Sequence, residues 1–273
     1  MAARKSNPIV LYDILSKQGP WSPNTYKTRL TLNYKRLPYR VEYVSIADIE
    51  SRLKELGIPP SSHNPLFQYT LPNFRQLSLA LTVIADPSEQ PDGKPTYVVE
   101  SFNIATYLDS KYPAPEYPAV FLPGTHVLQN IATGHISRTG LMPLAPIVLP
   151  YAATRSDFLD ERGMEYFIRT RSAIFGAELP RLLDQAPENW KVAKIQWDKL
   201  NEAFDFNQGG PFVMGHQISF ADFAFGGILH MVRNLEGGGM SCWKRIAEWH
   251  GGRWDTLWKE ISKLELDSSE VPE

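Results

Sequence analysis

A single cysteine, Cys242, stands in 273 residues. One thiol excludes an intramolecular disulfide framework, a Cys-x-x-Cys redox pair and a thiolate metal cluster. Excess charge is missing too. Lys and Arg number 28 against 30 Asp and Glu, a formal −2 with no block of one sign, so nothing draws the chain to nucleic acid or an anionic membrane surface. The longest apolar tract, residues 141–153, is interrupted by Pro143, Pro146 and Pro150 and is too short to span a bilayer. The opening Met-Ala-Ala-Arg-Lys-Ser-Asn-Pro lacks the apolar stretch of a secretory signal. None of the six histidines has metal-ligand spacing or a recognisable nucleophile–base pairing. The glycines at 237–239 follow no strand and open no clear helix, which argues against a phosphate loop. No internal repeat is found. These absences leave a globular protein expected to be intracellular and cytoplasmic, with a length that suggests two domains.

The chain itself alternates strand and helix signals at first. Residues 8–14 read as a strand, and a loop through Gly19 and Pro20 leads to Ser22, a good N-cap, with Pro23 suited to the first helical position. Tyr26, Leu30, Tyr34 and Leu37 then lie on one helical face. Residues 39–46 alternate like a second strand, and 48–56 form a short amphipathic helix stopped by Gly57 and Pro59-Pro60. After a loop over 59–70 comes Thr70-Leu71-Pro72, then an apolar run over 79–85, a Pro91-Asp92-Gly93 turn and a strand at 97–99. A last helix follows. The order β-α-β-α-β-β-α is thioredoxin-like, and Pro113, Pro115 and Pro118 mark a linker. The fold class expected is therefore an α/β thioredoxin-like N-terminal domain over 1–118 plus an all-α C-terminal domain over 119–273.

In the second half the pattern is helical throughout. Residues 157–184 carry apolar positions at helix spacing with Pro180 as a kink or end. Trp190, Ala193, Trp197, Leu200 and Phe204 form a clean stripe. Ser219-Phe220-Ala221-Asp222 is a capping box, with Ile218 and Phe223 at the positions of a hydrophobic staple. Trp249, Trp254 and Trp258 are most simply core, and the acidic residues 264–273 are expected to fray.

One stretch carries chemistry. The chain turns from strand to helix at Glu100-Ser101, where Ser101 can cap the helix and its free N–H groups and dipole make a small anion site. Glu100 sets a carboxylate beside it. The pair suits a zwitterion, whose ammonium goes to Glu100 and whose carboxylate goes to the helix end. An ordinary N-cap with an exposed Glu fits the same residues.

Ser22-Pro23 after the first strand, Leu71-Pro72 before the third, Glu100-Ser101 at a strand-to-helix turn and Gly215-x-x-Ile218-Ser219-x-Ala221-Asp222 downstream together resemble the cytosolic glutathione transferases. The resemblance runs over nearly the whole chain. Trp21 to Arg29, followed by Leu37-Pro38-Tyr39, and Thr170-Arg171-x-x-Ile174-Phe175-Gly176 resemble the fungal FuA class, relatives of the bacterial lignin β-etherases. The resemblance implies glutathione as co-substrate, with Glu100 and Ser101 on its γ-glutamyl end and Asn24 also in the glutathione site. It implies Pro72 in the cis form, where the penalty is only about 0.5–1 kcal/mol, with the backbone of Leu71 pairing with the cysteinyl part. Ser22 would donate its hydroxyl to the glutathione sulfur and favour the thiolate, the reactive form; Ser22 as a mere N-cap is the plainer alternative. Tyr12 is the rival donor, and Asn24 and Thr25 are weaker ones. No cysteine occupies this loop, against the classes that form a mixed disulfide with glutathione. Residues 73–82 depart from the family pattern, as an extra stretch before Val83. A hydrophobic or aromatic second substrate would sit near 141–151, Tyr166 and Phe167. Conjugation is the activity implied, with peroxide reduction or β-aryl ether cleavage as related ones. Storage of phenolics with little turnover is the chief alternative, and a regulatory protein on the same fold is a third. The resemblance also implies a homodimer.

Overall fold

The computed structural model describes residues 3–59, 82–87, 93–207 and 209–272. Four strands form one mixed sheet in the order β2-β1-β3-β4. These are β1 (Ile9–Ile14), β2 (Tyr39–Val44), β3 (Val83–Asp86) and β4 (Thr96–Val99). β1 and β2 run parallel, with Leu11 opposite Val41, whereas β3 is antiparallel to both β1 and β4. A parallel pair needs a crossover connection, and α1 (Pro23–Tyr34) supplies it. Helices α2 (Ile49–Glu55) and α3 (Ser101–Lys111) complete the N-terminal domain. Its inner core joins Ile9, Leu11, Leu32, Leu37, Ile84, Ile104 and Leu108.

The helical domain runs α4 (His126–Ile136), a π-helical turn (Ser137–Leu141), α5 (Met142–Ala153), α6 (Glu161–Phe175), a 3-10 turn (Leu179–Gln185), α7 (Ala186–Phe204), α8 (Phe220–Leu235), α9 (Ser241–Glu248) and α10 (Arg253–Leu266). The tract with three prolines is helical, in keeping with the rest of the second half. Pro143 lies in the first turn of α5, where no N–H is needed, and Pro146 and Pro150 lie inside it, in a helix with Leu144, Ile147 and Val148 buried. The region 157–184 divides where the chain demands it: Gly176 takes the left-handed conformation at the end of α6, and Pro180 opens the 3-10 turn. The stripe on α7 is buried, with Trp197 set edge-on to Trp254 at 4.7 Å between ring centroids. No helix among the described residues is long and apolar enough to cross a membrane.

α1 departs from its expected single apolar face. Thr25 through Asn33 are all buried, because the sheet lies on one side and α8 on the other. α8 admits it through paired glycines: a Cβ on Gly227 would fall 2.4 Å from the Pro23 carbonyl oxygen, and one on Gly226 would fall 2.8 Å from Leu30. The capping box at Ser219 and Asp222 forms as expected, and α8 begins there. Asp222 accepts from the Val213 and Ser219 amides at 2.7 and 2.8 Å. Burial nonetheless raises its pKa to about 7.

The acidic end corrects the expectation of fraying. α10 continues to Leu266, and residues 268–271 lie along the free edge of β2. The Val271 amide donates to Tyr39 at 2.7 Å, the Tyr39 amide to Ser269 at 3.3 Å, and the Ser269 hydroxyl to Leu37 at 2.7 Å. Glu270 also pairs with Arg29 at 2.5 Å, and Arg29 reaches the fully buried Asp13 at 3.4 Å. A buried guanidinium on α1 requires an acid, and the tail brings one.

Candidate functional site

Ser22 ends the loop after β1 and stands at the N-cap of α1 with extended backbone angles (φ −71°, ψ 124°). Its carbonyl accepts from the Tyr26 amide, closing the first helical turn at 3.0 Å. Its hydroxyl makes no capping hydrogen bond. Pro23 at the first helical position removes one orphan donor, and the Ser22 side chain is left for something else. Ser22 is buried to 5% exposure yet lines a cavity of about 140 Å³.

The cavity lies between the two domains. The N-terminal domain gives Ile14, Trp21, Ser22, Asn24, Ile46 and Ile49; the helical domain gives Leu141, Met142, Ala145, Leu149, Tyr166, Phe167, Arg171 and Met231, among others. Trp21 sits edge-on to Phe158 and Phe167 at 5.1 and 5.9 Å. Cross-domain hydrogen bonds hold the walls: Ser45 donates to Asp160 at 2.8 Å, and Arg162 pairs with Asp48 at 2.7 Å. The stretch 141–151, Tyr166 and Phe167 were expected near a second substrate, and the residues lining the cavity include members of each.

The loop bearing Ser22 is held from α8. His230 Nε2 lies 2.8 Å from the Pro20 carbonyl oxygen, and its ring stacks on Tyr26 at 3.7 Å. Burial, with Arg29 and Arg233 adding to it, lowers the His230 pKa to about 4. The ring is therefore neutral at ordinary pH and donates from Nε2. No local sequence signal marks this residue, since its partner lies 210 positions earlier.

The strand-to-helix turn at Glu100-Ser101 needs one correction. α3 begins at Ser101, so Ser101 is its first helical residue and Glu100 is the cap. No side-chain cap bond forms there. The backbone, not the Ser101 hydroxyl, makes the turn: Glu100 holds φ +73°, a region costly for a residue with a Cβ. Its amide donates to Thr82 at 3.0 Å, and its carbonyl accepts from Ile104 at 2.8 Å. The amides of Ser101, Phe102 and Asn103 precede Ile104, the first amide to reach an intrahelical acceptor, as at any helix start.

Lys27 links this turn to the start of α1. Its ammonium donates to Asn24 Oδ1 at 3.1 Å, and the Glu100 carboxylate acts on it electrostatically. Burial outweighs that help and lowers its pKa to about 8. The sequence reading gave Lys27 no role; its signal was position, one turn beyond Asn24 on a helix buried on every side.

The remaining candidates fall elsewhere. Thr25 is fully buried, and its hydroxyl serves the Ser22 carbonyl at 3.3 Å and the Asp13 carboxyl beneath the helix. Tyr12 lines a different cavity with Glu42, Arg52 and Tyr97, and burial first, then Glu42, raises its pKa to about 12. Leu71, Pro72 and the extra stretch 73–82, save Thr82, lie outside the described residues. Cys242 is buried, and its thiol is raised to about 12 by burial and by Glu236.

Comparison with known proteins bears on the family and the fold. Residues 127–264 match the family model for the glutathione S-transferase C-terminal domain. The glutathione S-transferase-like protein ustS of Aspergillus flavus is 29% identical over 271 residues, covering 94% of this chain and 91% of the relative. Among solved structures, a glutathione S-transferase of Ceriporiopsis subvermispora in complex with glutathione is 31% identical, with a TM-score of 0.78 over 95% of this chain and 98% of its own. Glutathione transferase GSTFuA2 from Phanerochaete chrysosporium is 30% identical, with a TM-score of 0.79 over 94% and 98%. A thioredoxin-like sheet joined to a helical domain, with the family's C-terminal signature and these full-length likenesses, places this chain in the glutathione S-transferase family.

Proposed function

We propose that this protein is a glutathione transferase of FuA type in which the Ser22 hydroxyl holds glutathione as the thiolate. The observation that carries the reading is a serine at a helix N-cap whose hydroxyl does not cap, opening into a largely apolar cavity between the two domains. A hydroxyl donor at the positive end of α1 lowers a nearby thiol's pKa by stabilising the charged form. Glu100 takes the γ-glutamyl ammonium, the amides at the start of α3 take its carboxylate, and Asn24 is assigned to the glutathione site as well. Leu71 and Pro72 are assigned the cysteinyl part on family resemblance alone. The thiolate then attacks a hydrophobic or aromatic electrophile in the cavity; peroxide reduction and β-aryl ether cleavage would draw on the same thiolate. The apolar side chains exposed along α4, Val127, Leu128 and Ile131, supply the surface for a homodimer.

The test is the thiol pKa of bound glutathione, followed by thiolate absorbance in wild type and Ser22→Ala. A free thiol titrates near ~8.5, and a wild-type value lower by about two units is expected. The value should return most of the way in Ser22→Ala. An unshifted thiol with glutathione bound would turn the assignment to a binding protein for glutathione and phenolics.

A further inference from the structure

Arg171 stands out in the cavity wall. It projects from α6, and its guanidinium lies 4.9 Å from the centroid of the Phe167 ring, another wall residue. A guanidinium carries five N–H donors. Among the described residues Arg171 uses one of them, from Nη1 to the Thr170 hydroxyl at 2.8 Å. It makes no ion pair there, and among the described residues no carboxylate lines the cavity. The missing counter-charge is felt: burial lowers its pKa to about 10, with only Tyr166 opposing. Trp21 adds a second unmet donor, since its indole N–H is buried without an acceptor. Of the acceptors in the wall, Asn24 Oδ1 is already taken by Lys27. Among the described residues the wall thus presents an under-used guanidinium and no carboxylate in a largely apolar lining.

We propose that this cavity selects a second ligand that is an aromatic carboxylate, with its ring among Leu141, Met142 and Phe167 and its carboxylate forked on Arg171. A planar oxyanion matches the guanidinium bidentately, and it supplies the counter-charge the wall lacks. The inference rests on the proposed function for its site, because it names the substrate class that the cavity beside Ser22 accepts. It predicts which of two isosteric ligands binds, and so can be read without turnover.

The experiment is calorimetric titration of the full chain, saturated with glutathione, with 2-naphthoate and with 2-naphthamide. These share ring and shape and differ in charge. Naphthoate should bind tighter by about tenfold or more, the usual scale for a hydrogen-bonded charged group. Arg171→Met should bring the two to parity, and Arg171→Lys should keep part of the preference. Equal affinities in wild type, or a preference that survives Arg171→Met, would overturn the proposal, and the wild-type comparison stands even if a variant does not fold. A lowered glutathione thiol pKa with a ratio of one is the failure of this inference alone. An unshifted thiol with the ratio intact is the failure of the transferase reading alone.

Discussion

His230 shows how one side chain can set the position of another without touching a ligand. Its Nε2–H fixes the Pro20 carbonyl, two residues before Ser22, so the hydroxyl's place depends on a ring from the other domain. The folded pKa of about 4 lies below the ordinary His value. The stability it contributes is therefore fully present above about pH 6.5 and lost as pH falls toward 4. Asp222, raised to about 7, works the other way: its contribution is present below the ordinary Asp range and lost as pH rises through 7. The opposed slopes make the wild-type profile alone ambiguous, and a difference resolves it. His230→Gln should be less stable than wild type at pH 7.5, with a gap that narrows by up to about 3 kcal/mol toward pH 4. Denaturant melts of both proteins across that range would read it, and a gap constant with pH would refute a neutral buried ring. Ser22 could be picked out from the sequence because serine before proline is a local pattern with a local cause. His230 could not, since it acts through a carbonyl far away in the chain; Arg171 stands in the stretch that resembles the FuA class, but its role depends on what surrounds it in the cavity.

Among the elements, α1 bears most on the site, because it carries Ser22, Asn24 and Lys27 and is gripped from both sides. Its start rests against Gly227, where a Cβ would meet the Pro23 carbonyl at 2.4 Å. That atom is backbone and cannot swing aside. Gly227→Ala should therefore push the N-terminus of α1 off α8, costing about 1–3 kcal/mol in stability as overpacking does. It should also raise the bound glutathione thiol pKa toward that of free glutathione, although no ligand-facing atom has changed. Thiolate absorbance beside a denaturant melt separates the effects; lost stability with an unmoved thiol pKa would mean that Ser22 is placed independently of α8. The start of α1 was readable from Ser22-Pro23, as was the box that starts α8. The burial of every face of α1 was not, because Thr28, Thr31 and Asn33 look like a solvated side until α8 and the tail arrive. The turn at Glu100 was placed correctly but its cap was assigned one residue late, since a glutamate at φ +73° is a conformation that propensity disfavours.

At the scale of the molecule, the order of strands and helices was legible because each change of hydrophobic period coincides with a turn signal. The surface was less so. Val127, Leu128 and Ile131 are 60–70% exposed on one side of α4, an apolar cluster of the kind that marks interaction surfaces. If it is the homodimer face, Leu128→Asp with Ile131→Asp should give a monomer by light scattering and leave the bound-thiol pKa where it was. A dimer that persists would move the interface elsewhere. The tail, too, misled the sequence reading, because an acidic, serine-bearing end looks solvated until the needs of Arg29 are known. Its docking on β2 bears on how the protein is made. Until residues 268–271 have left the ribosome, every nascent chain carries a bare sheet edge and an arginine lacking one of its two acids. An uncovered edge invites pairing with other chains. Docking of residues 268–271 on β2 is therefore the step that closes this edge to other chains.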